Sequence, residues 1–206
     1  CGAALAALPE RLSILDGELM TRAIAAFRQG ATLGMVAGAL QGERKEIAVT
    51  PLNIHRGAEP FEKIRRATEA FTARTGAAPK LFLANMGPIP QHKARADFST
   101  AFFNVGAFET ICNNGFATVD EAVQATLASG AKAVVICSTD ATYPEIVPPL
   151  AQQLKAADPG MMIILAGFPK DLVDAFKEAG VDEFLHVRVN ALELLTKLQQ
   201  HLEVIA

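Results

Sequence analysis

From Lys80 to the end of the chain, short and wholly apolar runs alternate with stretches whose apolar residues recur every three or four positions. No other feature constrains the fold as strongly. A strand that is apolar at every position has no polar face to offer water, so it must be covered on both sides. Sheets covered on both sides are parallel sheets joined by helical crossovers. The run 80–86 closes at Gly87-Pro88, 131–137 follows Ser129-Gly130, and 161–166 follows Pro159-Gly160 and ends at Gly167. Shorter candidates lie at 107–111 and 183–186.

Between and after these runs, residues 91–105, 118–129, 142–156, 169–179 and 190–202 carry helical spacing. Thr118 followed by Glu121 is a capping box, and Gly130 and Gly180 stand where helices end on glycine. Five strands alternating with five helices make an α/β, doubly wound, five-stranded parallel sheet. The flavodoxin-like (Rossmann-like) order 2-1-3-4-5 is its commonest form. The region 1–79 is less regular and reads as a helical N-terminal arm or linker leading into an α/β domain at 80–206. Helical patterns run over 15–30, with Asp16 as N-cap, and over 31–40. A third, 59–75, has Pro60 in its first turn and Gly76 after its end.

Length and composition narrow the class. The 206 residues suggest one full domain plus an appendage, and 50% hydrophobic with 20% charged residues excludes global disorder. Nineteen basic against 22 acidic residues leave a net charge of −3 and no field to hold a phosphate backbone. Nucleic acid is therefore not an expected partner. No apolar stretch approaches the ~20 residues of a membrane span. The three cysteines form neither a disulfide framework nor a zinc motif, which points to a reducing, cytoplasmic setting. Cys1 in place of a starting Met suggests a processed or fragmentary chain, and no basic leader marks a signal peptide.

In a sheet of this kind ligands sit beyond the carboxyl ends of the strands. The segments to inspect are therefore Gly87 to Arg95, Ser138 to Tyr143, Gly167 to Lys170 and Val187 to Asn190. No acidic pair follows the first run and no Lys the last, so a receiver module is excluded. No Gly-x-Gly-x-x-Gly follows a strand, so a nicotinamide dehydrogenase is too. Cys137 and Cys112 read as small buried hydrophobes, and His92 as a surface or interface histidine at a helix start. His55, His186 and His201 are unclustered and read as structural or exposed. Ser138-Thr139-Asp140 reads as a helix-start cluster or a polar-ligand site. An acid/base role for Asp140 with Glu145 is weakly supported. Arg56, Glu62, Arg65 and Arg66 form a solvated stripe, with a partner-binding face as runner-up.

Several segments, in order and spacing, are similar to one family. Arg56-Gly57-Ala58-Glu59-Pro60-Phe61 and Leu81-Phe82-Leu83-Ala84-Asn85-Met86-Gly87-Pro88 carry the likeness. So do Phe102-Phe103-Asn104-Val105-Gly106-Ala107-Phe108-Glu109, the stretch 131–140 and Leu165-Ala166-Gly167. Over roughly 30–206 the chain resembles the C-terminal, cobalamin-binding-type domain of the methylmalonyl-CoA mutase family, in particular its small (β) subunits.

The resemblance implies an adenosylcobalamin-dependent interconversion of methylmalonyl-CoA and succinyl-CoA in the complete enzyme. In it, a small subunit would be a non-catalytic, structural partner of the large (α) subunit or barrel domain. The family's working cobalamin domains carry Asp-x-His-x-x-Gly after the first strand, where the His ligates cobalt. They also carry Ser-x-Leu after the third strand and a Gly-Gly pair after the fourth. With Gly87 on the family's matching Gly, Ile89 stands at the Asp, Gln91 at the His and Ala94 at the last Gly. His92 lies one residue off, Cys137-Ser138-Thr139 stands in place of Ser-x-Leu, and Ala166-Gly167 keeps half of the glycine pair. His92, Ser138 and Gly167 are thus degenerate cofactor-binding positions, with no catalytic and no metal residue assigned. The expectation is that this chain binds no cobalamin; the alternative is a true cobalamin domain with His92 on the cobalt. The chain is also shorter than the ~250 residues a catalytic barrel alone requires.

Overall fold

Every apolar run from Lys80 onward becomes a strand of one sheet. The computed structural model describes residues 1–6, 8, 18–41 and 48–205. Strands β1 (Lys80–Asn85), β2 (Glu109–Ile111), β3 (Ala133–Cys137), β4 (Met162–Ala166) and β5 (Glu183–Leu185) pair in the order β2-β1-β3-β4-β5. All four pairings are parallel, with Leu81 opposite Ala133, Ala133 opposite Met162 and Ile164 opposite Glu183. This is the expected flavodoxin-like order.

Residues alternate between the two faces of the sheet, and both faces are core. Phe82, Ala84, Val134, Ile136, Ile163 and Leu165 pack on one side with Val147, Leu150, Leu154 and Phe176. Leu81, Leu83, Val135, Cys137 and Ile164 pack on the other with Phe103, Leu195 and Leu198. The first group of helices is α6 (Val119–Ala128), α7 (Tyr143–Ala157) and α8 (Val173–Glu178). The second is α4 (Glu59–Thr75), α5 (Ile89–Val105) and α9 (Ala191–His201). Two-sided coverage is why the strand sequences show no alternation.

Helix boundaries follow their local chemistry. The capping box of α6 is formed, with Glu121 N donating to Thr118 Oγ1 and the Glu121 carboxylate accepting from Thr118 N. Helix α7 runs through Pro148 and Pro149, which remove interior hydrogen bonds; burial of Val147, Leu150, Ala151 and Leu154 holds it together. The expected helix at 169–179 is instead a 3₁₀ turn, Lys170–Leu172, followed by α8. Its first residue, Pro169, is extended rather than helical.

The chain divides into two units, Cys1–Ile54 and His55–Ala206. In the first, α1 (Gly2–Ala6), α2 (Glu18–Arg28) and α3 (Leu33–Gln41) surround a small core of Ala23, Ala26, Ala31 and Val36. The expected N-cap Asp16 lies outside the described residues. In the second, helix α4 spans the expected 59–75 and packs on α9, so it shares a unit with the sheet. The joint is polar and buried: Gln199 Nε2 donates to Ile64 O at 2.7 Å and Thr68 Oγ1 at 2.8 Å. Replacing Gln199 by Leu removes both bonds, while Thr68 Oγ1 goes on donating to Ile64 O. Loss of the two bonds is expected to lower stability by about 1–3 kcal/mol, read as a shift in the urea midpoint.

Candidate functional site

The carboxyl ends of β1, β3 and β4 meet around one side chain, Arg95. Helix α5 begins just after β1, with Pro88 extended at its N-cap and Pro90 in its first turn. Arg95 leaves the second turn of this helix and crosses over the sheet end. Its Nη1 donates to the carbonyl of Ala166, the last residue of β4, and to Tyr143 Oη at 2.9 Å. Its Nη2 donates to Asp140 Oδ1 at 2.8 Å, and the guanidinium carbon lies 4.9 Å from the centre of the Tyr143 ring.

Tyr143, the chain's single tyrosine, is fully buried at the start of α7. Its hydroxyl donates to Ala166 O at 2.6 Å and accepts from Ser138 N at 3.2 Å. Burial pushes the phenol above its usual range, only partly offset by Arg95. Burial works against the Arg95 charge, yet Tyr143 and Asp140 hold its pKa above the ordinary value, so the cation persists. Asp140 is mostly exposed, so the pair itself adds little stability. The wedge is built on the ring and on the buried Ala166 carbonyl.

The expected site residues divide here. Ser138 and Gly167 both adjoin the wedge. Ser138 is 1% exposed, and its Oγ donates to Met86 O at 3.0 Å while accepting from Thr142 Oγ1 at 2.8 Å. Gly167 has φ +147°, and a Cβ there would overlap Arg95 Nη1 and press on the Tyr143 ring at 3.3 Å. The residue that would open space beside the strand end therefore has that space filled by Arg95.

His92 does not join them. It is buried within the domain, at 3% exposure, rather than at a surface or interface position as expected. The reason is the loop after β2, whose Gly115 (φ +102°) lies against the ring: a Cβ there would sit 2.6 Å from His92 Cε1. His92 Nδ1 lies 3.1 Å from the Gly87 carbonyl, which can only accept, so Nδ1 carries the proton.

The remaining candidates separate as well. Asp140 pairs with Arg95 rather than acting with Glu145, and Thr142, not Ser138, caps α7 without a side-chain bond. Arg56 pairs with Glu62 at 2.9 Å and Arg65 with Glu69 at 2.9 Å, on an exposed face. Among the described residues, no three His, Cys, Asp or Glu side chains group as a metal site. Among them, too, no helix is long and apolar enough to cross a membrane. Arg95 and Tyr143 lie inside the inspected segments, but nothing in their spacing showed that they would meet. A lone tyrosine just past a buried strand was the one available signal.

The cysteines also divide. Cys137 is buried in the sheet, and burial raises its thiol from an ordinary 9.0 to about 12. Cys112 is exposed, contrary to expectation, because the edge strand β2 ends one residue before it and nothing covers it. Aromatic-disulfide titration of the native chain is expected to count the exposed Cys1 and Cys112, and all three thiols only after denaturation. Because the folded pKa of Cys137 is the higher one, its contribution to stability is whole below pH 9.0. It is lost as pH rises toward 12, which alkaline unfolding curves measure.

No protein-family model matches the chain. It is 36% identical over 148 residues, 72% of its length, to the methylmalonyl-CoA mutase small subunit of Porphyromonas gingivalis. It is 33% identical over 67% of its length to the small subunit of Streptomyces virginiae. It is also 28% identical over 81% of its length to the methylmalonyl-CoA mutase large subunit of Streptomyces virginiae. The matches span 23%, 21% and 24% of those proteins, so the chain covers less than a quarter of each. By this likeness and this fold, the chain belongs to the methylmalonyl-CoA mutase family and resembles its small subunits.

Proposed function

We propose that residues 80–206 are the cobalamin-type domain of a mutase small (β) subunit, preceded by the helical segment 1–79. It serves as a non-catalytic, structural partner of a large (α) subunit in the adenosylcobalamin-dependent interconversion of methylmalonyl-CoA and succinyl-CoA. The cofactor belongs to the complete enzyme, and this chain binds none. The observation that carries this reading is the Arg95 wedge. A bulky nucleotide tail entering between β1, β3 and β4 would need the space over Gly167, which the guanidinium and the Tyr143 ring fill.

The residues present do not fit the cofactor at the cobalt either. Ile89, Gln91 and Ala94 stand where the family's Asp, His and Gly are expected, and His92 is buried beneath the Gly115 loop. Ser138 is buried, and Arg95 and Tyr143 fill the space that a Cβ on Gly167 would take. The similarity to both small and large subunits supports a paired architecture.

Titrating the chain with adenosylcobalamin should leave its visible spectrum unchanged at micromolar concentrations. A base-off, His-on spectrum would instead establish His92 as the cobalt ligand. Co-expression with a tagged large subunit tests the partner reading. The chain is expected to co-purify with it in a fixed ratio, and consistent elution without it would refute the pairing.

A further inference from the structure

The loop after β2 carries the chain's single Asn-Gly pair, Asn114-Gly115. An asparagine followed by glycine is open to attack from its own backbone. The nitrogen of the next residue reaches the side-chain Cγ, and glycine, having no Cβ, leaves that approach clear. Asn114 is exposed, so water reaches the carboxamide and whatever forms from it.

The fold opposes that attack at the nitrogen. Asn113 Oδ1 accepts from Gly115 N at 3.0 Å, while Asn113 Nδ2 donates to Leu83 O at 2.6 Å. A carbonyl can only accept and a backbone N–H can only donate, so these two partners fix the orientation of the Asn113 amide. The nitrogen that would attack is therefore aimed at an oxygen lone pair. Losing its proton there would set an amide anion against that lone pair, so the bond must break before the nitrogen turns to Cγ.

The peptide groups on either side are held as well. Asn85 Nδ2 donates to Asn113 O at 3.1 Å, Phe116 N to Asn85 O at 2.8 Å and Gly87 N to Phe116 O at 2.9 Å. Gly115, at φ +102°, lies against the Gly87 carbonyl and the His92 ring, which hinder its rotation.

We propose that Asn114 is a modification site, converted to aspartate and isoaspartate through a succinimide, and that Asn113 holds it latent while the chain is folded. In the first step Gly115 N gives its proton to solvent and bonds to Asn114 Cγ. The Cγ–Nδ2 bond breaks, and ammonia leaves with a proton from water. Water then opens the ring. Attack at Cγ leaves aspartate; attack at the Asn114 backbone carbonyl leaves isoaspartate, with the chain running through Cγ. Water is the only co-reactant, and nothing is oxidised or reduced. The isoaspartyl link adds one carbon to the backbone of a loop whose fit over His92 depends on Gly115. It also sets a new carboxylate in a cavity wall that Asn114 shares with the paired Lys93 and Asp97. Conversion thus uncovers His92.

The test incubates the full chain at mildly alkaline pH and follows Asn114 by peptide mass spectrometry, with isoaspartyl methyltransferase labelling for the isomer. The folded parent is expected to react several-fold more slowly than the parent in urea. Folded Asn113→Ala is expected to react about 5–10 times faster than the folded parent, the rate equivalent of one lost hydrogen bond. In urea the two should react alike. Asn113→Ser keeps an acceptor for the N–H two residues on, gives up the bond to Leu83 O, and is expected to match the parent. Should Asn113→Ala not fold, the serine variant and the folded-against-urea comparison decide. The isoaspartyl product is expected to show shifted His92 ring signals in ¹⁵N NMR. Equal rates in the folded and the urea-unfolded parent, no acceleration in folded Asn113→Ala, or Asn113→Ser as fast as Asn113→Ala would each overturn the role of Asn113. Unmoved His92 signals in the product would overturn its uncovering.

Discussion

Truncating Tyr143 to Ala is expected to cost the chain about 3–5 kcal/mol, the range for emptying a large aromatic site in a packed core. The ring is fully buried among the residues of one sheet face, and its hydroxyl joins three groups: Ala166 O, Ser138 N and Arg95. Its removal opens a cavity and leaves a buried amide without a partner. Tyr143→Phe separates the two contributions. It keeps the ring and should cost only about 1–3 kcal/mol, the penalty for orphaned polar groups. Equal losses in the two variants, measured by urea unfolding, would refute the packing role given to the ring. In Tyr143→Ala the guanidinium of Arg95 also loses its platform. Adenosylcobalamin binding by that variant, against none by the parent, would identify the wedge as what excludes the cofactor.

Gly115→Val is the second large effect. At φ +102° a β-branched residue is strained by about 1–3 kcal/mol. The added atoms also meet the Gly87 carbonyl at 2.5 Å and the His92 ring at 2.6 Å, and the backbone oxygen cannot swing aside as a flexible side chain could. Overpacking of that kind adds about 1–3 kcal/mol. A thermal midpoint lowered by several degrees, together with altered His92 ring signals, is the expected result. A midpoint within error of the parent would show that the loop is free to retreat from His92.

Strand identity was readable before the fold because unbroken apolar runs leave few alternatives. The stretches 131–137 and 161–166 are strands to within two residues, and 59–75 is a helix at those bounds. Capping and turn signals are local, so Thr118 with Glu121 formed as the sequence implied. Burial of residues outside the repeating pattern was not readable. His92 lies inside the domain and Cys112 at its surface because the loop after β2 decides both: it covers the histidine and leaves the cysteine bare.

The sequence alone determined the class of fold, the strand order and the departures from the family's cobalamin motifs. All three depend on patterning and on residue types at fixed positions along the chain. Only the tertiary structure decided what replaced those motifs. Arg95 and Tyr143 are 48 residues apart, and Arg95 and Ala166 are 71 apart. Their meeting depends on where three parallel strands end relative to one another. That register is set by packing on both faces of the sheet, and no local pattern records it.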